Sequence, residues 1–157
     1  MTEPSAMISW RCLSFSELSK AELYDALALR NEVFVAEQRI LFADTDYKDQ
    51  EAWHVLGYGD EGKCVAYCRF FAPGAVYVGA AVGRVCNSTK VRGKGVGKAL
   101  MRRAQEEIYR LFGPTTVIEL SAQAYLKKFY SDLGFEHDGK PEYVDAGILH
   151  IHMHMHH

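Results

Sequence analysis

Arg92, Lys94 and Lys98 stand among three glycines in the run Arg92-Gly93-Lys94-Gly95-Val96-Gly97-Lys98. Glycine lets backbone N–H groups approach a ligand with no Cβ in the way. The apolar spacing that follows (Val96, Leu100, Ala104, Ile108, Leu111) predicts a helix running to Phe112. A helix that begins on such a loop adds unpaired N–H donors and the positive end of its dipole. Cationic side chains, free amides and a helix start in one place make a site for a pyrophosphate. Lys90, Arg102 and Arg103 extend the positive collar.

Spacing separates the kinds of phosphate loop. A P-loop needs G-x-x-x-x-G-K-[ST], but Arg92 stands in place of the first glycine and Ala99 in place of the hydroxyl residue. The dinucleotide fingerprint G-x-G-x-x-G fails from Gly93, where it ends on Lys98, and from Gly95, where it ends on Leu100. The pattern that fits is R-x-x-G-x-G, on Arg92, Gly95 and Gly97. It resembles the coenzyme A loop of the GNAT superfamily of N-acetyltransferases. Val117–Gln123 reads as a strand, Ala124 to Leu133 as a short helix and Gly134 as its C-cap. This unit resembles the next motif of the same superfamily, with Gln123 where Asn is usual, Tyr130 seven positions on, and Leu133-Gly134-Phe135 closing it. A narrower resemblance, to the ElaA-type branch, is carried by Leu29-Arg30-Asn31-Glu32-Val33-Phe34-Val35-Ala36-Glu37-Gln38, His54-Val55-Leu56-Gly57, Gly83-Arg84-Val85 and the Asp145–Ile151 stretch.

The resemblance implies an α+β GNAT fold, with a mixed, mostly antiparallel sheet of about seven strands flanked by helices, in a single N-acetyltransferase domain over residues 1–157. It implies acetyl-CoA as cosubstrate and no metal. Arg92, Gly93, Lys94, Gly95, Val96, Gly97 and Lys98 would hold the phosphates, and Gln123 and Tyr130 would also contact the cofactor. Backbone groups of Val85 and Cys86 would pair with the pantetheine arm where two strands splay apart. Tyr130 takes the position of the acid that protonates the departing thiolate, and the acceptor is a primary amine of a small molecule or peptide, attacking directly in a ternary complex.

The base is read from the residues themselves. A lysine-like amine has a pKa near roughly 10.4 and must lose a proton before it attacks. Glu37, Asp46, His54 and Glu119 are candidates, with Glu37 and His54 preferred. The acceptor pocket falls between Phe34 and Trp53, with Arg30, Phe34 and Asp46 as substrate contacts. Arg30 reads either as a clamp for a substrate carboxylate or as an arginine satisfied by Asp44, Asp46, Asp49 or Glu51. An acidic lining would suit a cationic amine. Two other functions compete: an acyl-CoA sensor domain without turnover, and an acyl-homoserine lactone synthase, whose early R-x-x-V-F pattern is echoed by Arg30–Phe34. The glycine loop suits the acetyltransferase better than the synthase.

The remaining features set bounds. A net charge of −2 leaves no basic surplus for nucleic acid. No run approaches the roughly 20 apolar residues of a membrane span, and no secretory leader is visible, so a cytoplasmic protein with reduced cysteines is expected. Cys64 and Cys68, an even number apart, should share a strand face. A homodimer is the base-rate expectation. Ser19-x-x-Glu22 is a capping box, after which Leu23, Leu27, Arg30 and Phe34 should line one helical face. Strands are expected at Met7–Leu13, Trp53–Tyr58, Cys64–Phe71 and within Val76–Cys86. At the end, His150, His152, His154 and His156 alternate with Ile151, Met153 and Met155, which puts the imidazoles on one strand face. Residues 149–157 then read as a wet edge strand, a zinc or nickel chelate, or in part an expression remnant.

Overall fold

The structure, a computed structural model, describes residues 7–156; His157 of the histidine-rich ending lies outside them. Strand β1 (Ser9–Ser14) leads through a 3₁₀ turn into α1 (Lys20–Arg30). Strands β2 (Trp53–Tyr58), β3 (Cys64–Phe71) and β4 (Ala80–Asn87) follow as an antiparallel meander. Then come α2 (Val96–Phe112), β5 (Ile118–Gln123), α3 (Lys127–Asp132), β6 (Glu136–His137), β7 (Tyr143–Asp145) and β8 (Ile148–Met155). All eight strands belong to one sheet, ordered β1-β2-β3-β4-β5-β8-β6, with β7 also on β8. That is one strand more than expected, because β6 and β7 pair separately with β8. Every pairing is antiparallel except β4–β5.

Each face of the sheet is packed by helix. On α2, Val96, Leu100, Met101, Ala104 and Ile108 are buried against Val55, Phe70, Leu120 and Met153. The expected stripe holds there, and Met101 widens it while Leu111 is only half-buried. Burying a leucine such as Leu100 contributes about 1.5–3 kcal/mol. On the opposite face α1 covers Leu56, Tyr67 and Cys86.

The α1 capping box forms as the sequence predicts: Glu22 N–H donates to Ser19 Oγ at 3.0 Å and Ser19 N–H to Glu22 Oε1 at 2.9 Å. The face that α1 buries differs from expectation. It consists of Ala26, Leu29, Arg30 and Val33, while Leu23, Leu27 and Phe34 sit at the margin. Beyond Arg30 the helix widens into a π-helical segment, Asn31–Glu37, in which Gln38 N–H donates to Val33 O at 3.0 Å, five residues back. The widening bears on Phe34 alone, because Ala26, Leu29 and Arg30 precede it and keep the α-helical spacing, one position from the expected set.

A second correction concerns the cysteines. Gly57 pairs with Ala66 and Tyr58 with Cys64, so Val65 is an extra residue in β3. The bulge breaks the alternation. Cys68 therefore packs under α2 while Cys64 packs under α1. All four cysteines are unpaired, and burial pushes the thiols of Cys12 and Cys64 up to about 12. Among the described residues no helix is long and apolar enough to cross a membrane.

Candidate active site

β4 and β5 pair in parallel for only three positions, Ala80–Val82 against Ile118–Leu120, and then part. The cause lies in β4. Tyr67 pairs with Cys86 but Arg69 with Gly83, so β4 carries one residue too many, and Arg84 takes a left-handed φ of 51°. A side chain in that region costs about 1–2 kcal/mol, and bulges of this kind bend a strand away from its neighbour. Arg84 is held there by Asp44, whose Oδ1 lies 2.9 Å from its Nε, and by Asp44 O, 3.1 Å from Nη2. Past the divergence, backbone groups of Gly83 and Val85 face a cavity of about 440 Å³.

Below the cleft β4 ends at Asn87 and a 3₁₀ turn, Thr89–Val91, delivers the chain to the glycine loop. Gly93 and Gly95 take φ of 79° and 77°, so the two glycines supply the turn that starts α2. Ala99 N–H is the first to close an α-helical bond, to Gly95 O at 3.1 Å, which leaves the amides of Val96, Gly97 and Lys98 as the unpaired donors of the first turn. Gly97 lies where a Cβ would come within 3.0 Å of Asn87 Nδ2 and 3.3 Å of Phe129. Lys94 and Lys98 are exposed.

Arg92 is engaged by Glu37. Both guanidinium Nη atoms donate to that carboxylate, Nη2 at 2.6 Å, and Nη2 also reaches Asn87 O at 3.1 Å. Hydrogen bonds from Arg92 hold the Glu37 carboxyl below its usual range. The end of the π-helical segment is thereby tied to the loop that begins α2. Beside it Gln123, at the tip of β5, donates from Nε2 to Gln38 Oε1 at 3.1 Å.

Tyr130 is on α3, its ring buried between Phe129 and Phe135, yet it lines the same cavity as Val85 and Gln123. Burial raises its pKa well above that of a free phenol, so the hydroxyl keeps its proton. Gly83, Val85, Gln123 and Tyr130 thus line one cavity, while the glycine loop lies outside its wall, tied to it through Arg92, Glu37 and the end of β4 at Asn87. Cys86 is buried under α1, which leaves only its backbone for a ligand, and Phe34 joins the cavity wall.

The other candidates stand elsewhere. Arg30 is fully buried and spends its guanidinium on Asp44, with Nε to Oδ2 at 2.8 Å, and on Asp49, with Nη1 to Oδ1 at 2.8 Å. Arg69 donates to Asp46 at 2.6 Å and 2.8 Å and to Asp49 at 2.8 Å. Three carboxylates thus face three guanidiniums, and the acidic lining expected for a cationic amine is neutralised from within. Arg30 is closed off from solvent, so a substrate carboxylate would have to displace Asp44 or Asp49 to reach it. Burial would raise the carboxyl of Asp46, but hydrogen bonds from Arg69 and the charge of Arg84 outweigh it and carry it far below the usual range.

His54 is buried on β2, with Nδ1 2.7 Å from Tyr67 Oη and Nε2 2.9 Å from Asp49 O. Burial lowers its pKa, and with both ring nitrogens engaged it braces the ion-pair network and does not reach the cavity. Glu119 accepts from Gly79 N–H at 2.7 Å and pairs with His152 Nε2 at 2.9 Å. His150, His152 and His154 share a face of β8, as their spacing requires, but each has a different neighbour, and among the described residues no three metal-ligating side chains gather. Arg69 and Gln38 were not singled out from sequence; a charged residue inside the run Val65–Phe71 was the signal for the first.

A cleft between splayed strands, followed in the chain by a glycine loop that starts a helix, is the architecture of an acyl-CoA-dependent acyltransferase. The chain belongs to the GNAT acetyltransferase family, whose domain model matches residues 23–157. It is 37% identical over 149 residues to protein ElaA of Escherichia coli, covering 94% of this chain and 95% of that one. It is 38% identical over 146 residues to UPF0039 protein sll0451 of Synechocystis, covering 93% and 94%. Among solved structures, Escherichia coli ElaA superposes with a TM-score of 0.86 at 36% identity, over 95% of this chain and 99% of that chain. An acyl-CoA N-acyltransferase from Pseudomonas aeruginosa gives 0.88 at 35% identity, again over 95% and 99%.

Proposed function

We propose that this protein transfers the acetyl group of acetyl-CoA to a primary amine of a small molecule or peptide, by direct attack in a ternary complex. The observation that carries the reading is the divergence of β4 from β5 at a cavity that Tyr130 lines, with β4 running on into the Arg92–Lys98 loop that starts α2. The free amides of Val96, Gly97 and Lys98, with the charges of Lys94 and Lys98, suit a pyrophosphate. Arg92 joins them once its carboxylate partner yields. The unpaired β4 edge suits the amide groups of a pantetheine arm, and an N–H at Val85 suits the oxyanion that forms at the thioester carbonyl.

The chemistry follows from these groups. The amine nitrogen attacks the carbonyl carbon and loses a proton, the C–S bond breaks, and the sulfur leaves as a thiolate that must be protonated. A phenol kept protonated by burial is a suitable donor, and Tyr130 fills that role. Because the acids around the pocket are matched by Arg30, Arg69 and Arg84, the wall gives no net attraction to a polycation. The acceptor is selected by shape and hydrogen bonding at Phe34, Gln38 and Gln123.

The test is mass-spectrometric detection of CoA and acetylated product across polyamines, amino sugars, aminoglycosides, amino acids and peptides. Turnover with one amine class, cut by about 10²-fold or more in Tyr130→Phe with acetyl-CoA affinity retained, is the expected result. Acetyl-CoA binding with no product from any amine would transfer the reading to a sensor domain. Absence of acetyl-CoA binding would overturn it.

A further inference from the structure

The transfer also needs a base, and a histidine on the cavity wall has a ring nitrogen free to be it. His150 lies on β8 opposite Gln123, at the tip of β5, and its ring forms part of the wall of the cavity that Tyr130 lines. Its Nδ1 is 2.7 Å from the carbonyl oxygen of Ile148, two residues earlier on the same strand. A carbonyl oxygen has no proton to give, so in the neutral ring Nδ1 carries the hydrogen and Nε2 keeps the lone pair. No side chain or backbone group among the described residues hydrogen-bonds to Nε2. The half-buried ring stacks on Tyr143, with centroids 5.9 Å apart and planes 19° from parallel. Tyr143 is itself tied to Ser121 of β5 by a hydroxyl–hydroxyl hydrogen bond. The imidazole is thus held by its own strand and by a tyrosine, and its basic nitrogen is the unengaged atom.

The four groups first considered for the base are committed, and Asp145, the unpaired carboxylate on the wall, is exposed to solvent on β7 and has no partner among the described residues to orient it. Glu37 holds Arg92, Asp46 holds Arg69, His54 is bonded at both nitrogens, and Glu119 is shared by Gly79 and His152. Resting on the acetyltransferase reading above, we infer that His150 is the general base of the transfer, with Nε2 receiving the proton that the acceptor amine loses. As the N–C bond forms, the N–H proton passes to Nε2, directly or through one water. The C–S bond breaks, and the sulfur takes the Tyr130 hydroxyl proton. One proton relayed through water from the imidazolium to the phenolate restores both side chains, so the products are the amide and free CoA thiol.

His150→Asn separates this role from a structural one. Asparagine retains an N–H donor for the Ile148 carbonyl and has no basic nitrogen. With the fastest amine of the panel, or with water as acceptor where no amine exceeds it, kcat is expected to fall by about 10²–10⁴-fold while acetyl-CoA affinity changes by no more than about twofold. Nitrogen-15 NMR of the labelled wild-type protein, with the His150 resonances identified by their loss in the variant, is expected to show the neutral ring protonated at Nδ1. A variant retaining more than about a third of kcat overturns the inference, as does a ring protonated at Nε2. Wild-type protein that binds no acetyl-CoA instead removes the acetyltransferase reading itself, so the two failures are distinct.

Discussion

Asp49→Asn tests whether the charge cluster beside the cavity is scaffold or substrate site. Oδ1 of Asp49 accepts from Arg30 Nη1 and from Arg69 Nη1, each at 2.8 Å, and both arginines are almost wholly buried. The substitution keeps the side chain's shape and removes one negative charge from a cluster in which three carboxylates balance three guanidiniums. Two buried cations are then left with two carboxylates among three. Each charge-assisted hydrogen bond contributes about 1.5–3 kcal/mol, and breaking a buried pair by altering one partner costs about 3–5 kcal/mol. Against a total stability of roughly 5–15 kcal/mol this is a large loss. At about 2–4 °C per kcal/mol for a chain of this size, Tm should drop by roughly 10 °C. His54 is a built-in control, because its bond is to the Asp49 carbonyl, which the substitution retains. Thermal and urea unfolding give the stability change, and calorimetric titration with acetyl-CoA gives affinity at a temperature where the variant is folded. Stability should fall and affinity should hold. A loss of less than about 1 kcal/mol, or unchanged stability with weakened turnover, would refute the scaffold assignment and restore Arg30 as a substrate clamp.

Glu37→Gln is expected to tighten CoA binding by about two- to fivefold, since it frees Arg92 and removes a carboxylate from the phosphate site; the pair is half-exposed and contributes about 0–1 kcal/mol. Calorimetric titration at low and high salt checks this, and weaker binding would mean that the pair organises the loop instead of competing for it. Acid should destabilise the fold through Asp46 and Asp49. Their folded pKa values lie below the unfolded ones, so the stability they supply is complete above about pH 4 and is lost as pH falls through the lowered values. Unfolding free energy measured from pH 6 down to pH 2 should decline, and Asp49→Asn should flatten that decline.

Much of the fold was legible because local pattern and tertiary demand agreed. The α2 stripe, the Ser19 capping box and the β2 and β3 boundaries each follow from residues that act over a turn or a strand. The buried face of α1, Ala26, Leu29 and Arg30, lies one position from the expected one within a regular α-helix, because the sheet and not the strongest apolar residues sets which side is covered. In β3 the cause is a single extra residue, Val65, which moves Cys64 to the other face. Periodicity assumes a constant repeat, so it has no means of seeing such an offset. The glycine loop was readable because its glycines are required by backbone angles alone. The charge cluster was half-readable: the acidic stretch announced partners for Arg30, but that Arg69 and Arg84 share them depends on the β3–β4 register. His150 was noticed for its spacing, whereas its orientation depends on a carbonyl two residues back, which spacing does not report.

The position of β8 has a consequence for how the chain assembles. β1 to β4 can pair as successive neighbours, each waiting only for the strand next to it in sequence, after α1 and its loop are spanned. β5, β6 and β7 all lean on β8, which follows the three of them in sequence. Contacts of high sequence separation form late, because loop closure precedes their reward. Until Ile148–Met155 arrives, β5 has only three residues of β4 to hold it, and the cleft for the ligand has one wall. Before β8 arrives β5 is held on one side alone, and the addition of β8 covers the free β5 edge and completes the site. Loss or blockage of β8 would leave β5, β6 and β7 without their partner together and should register as aggregation before it registers as a slower enzyme.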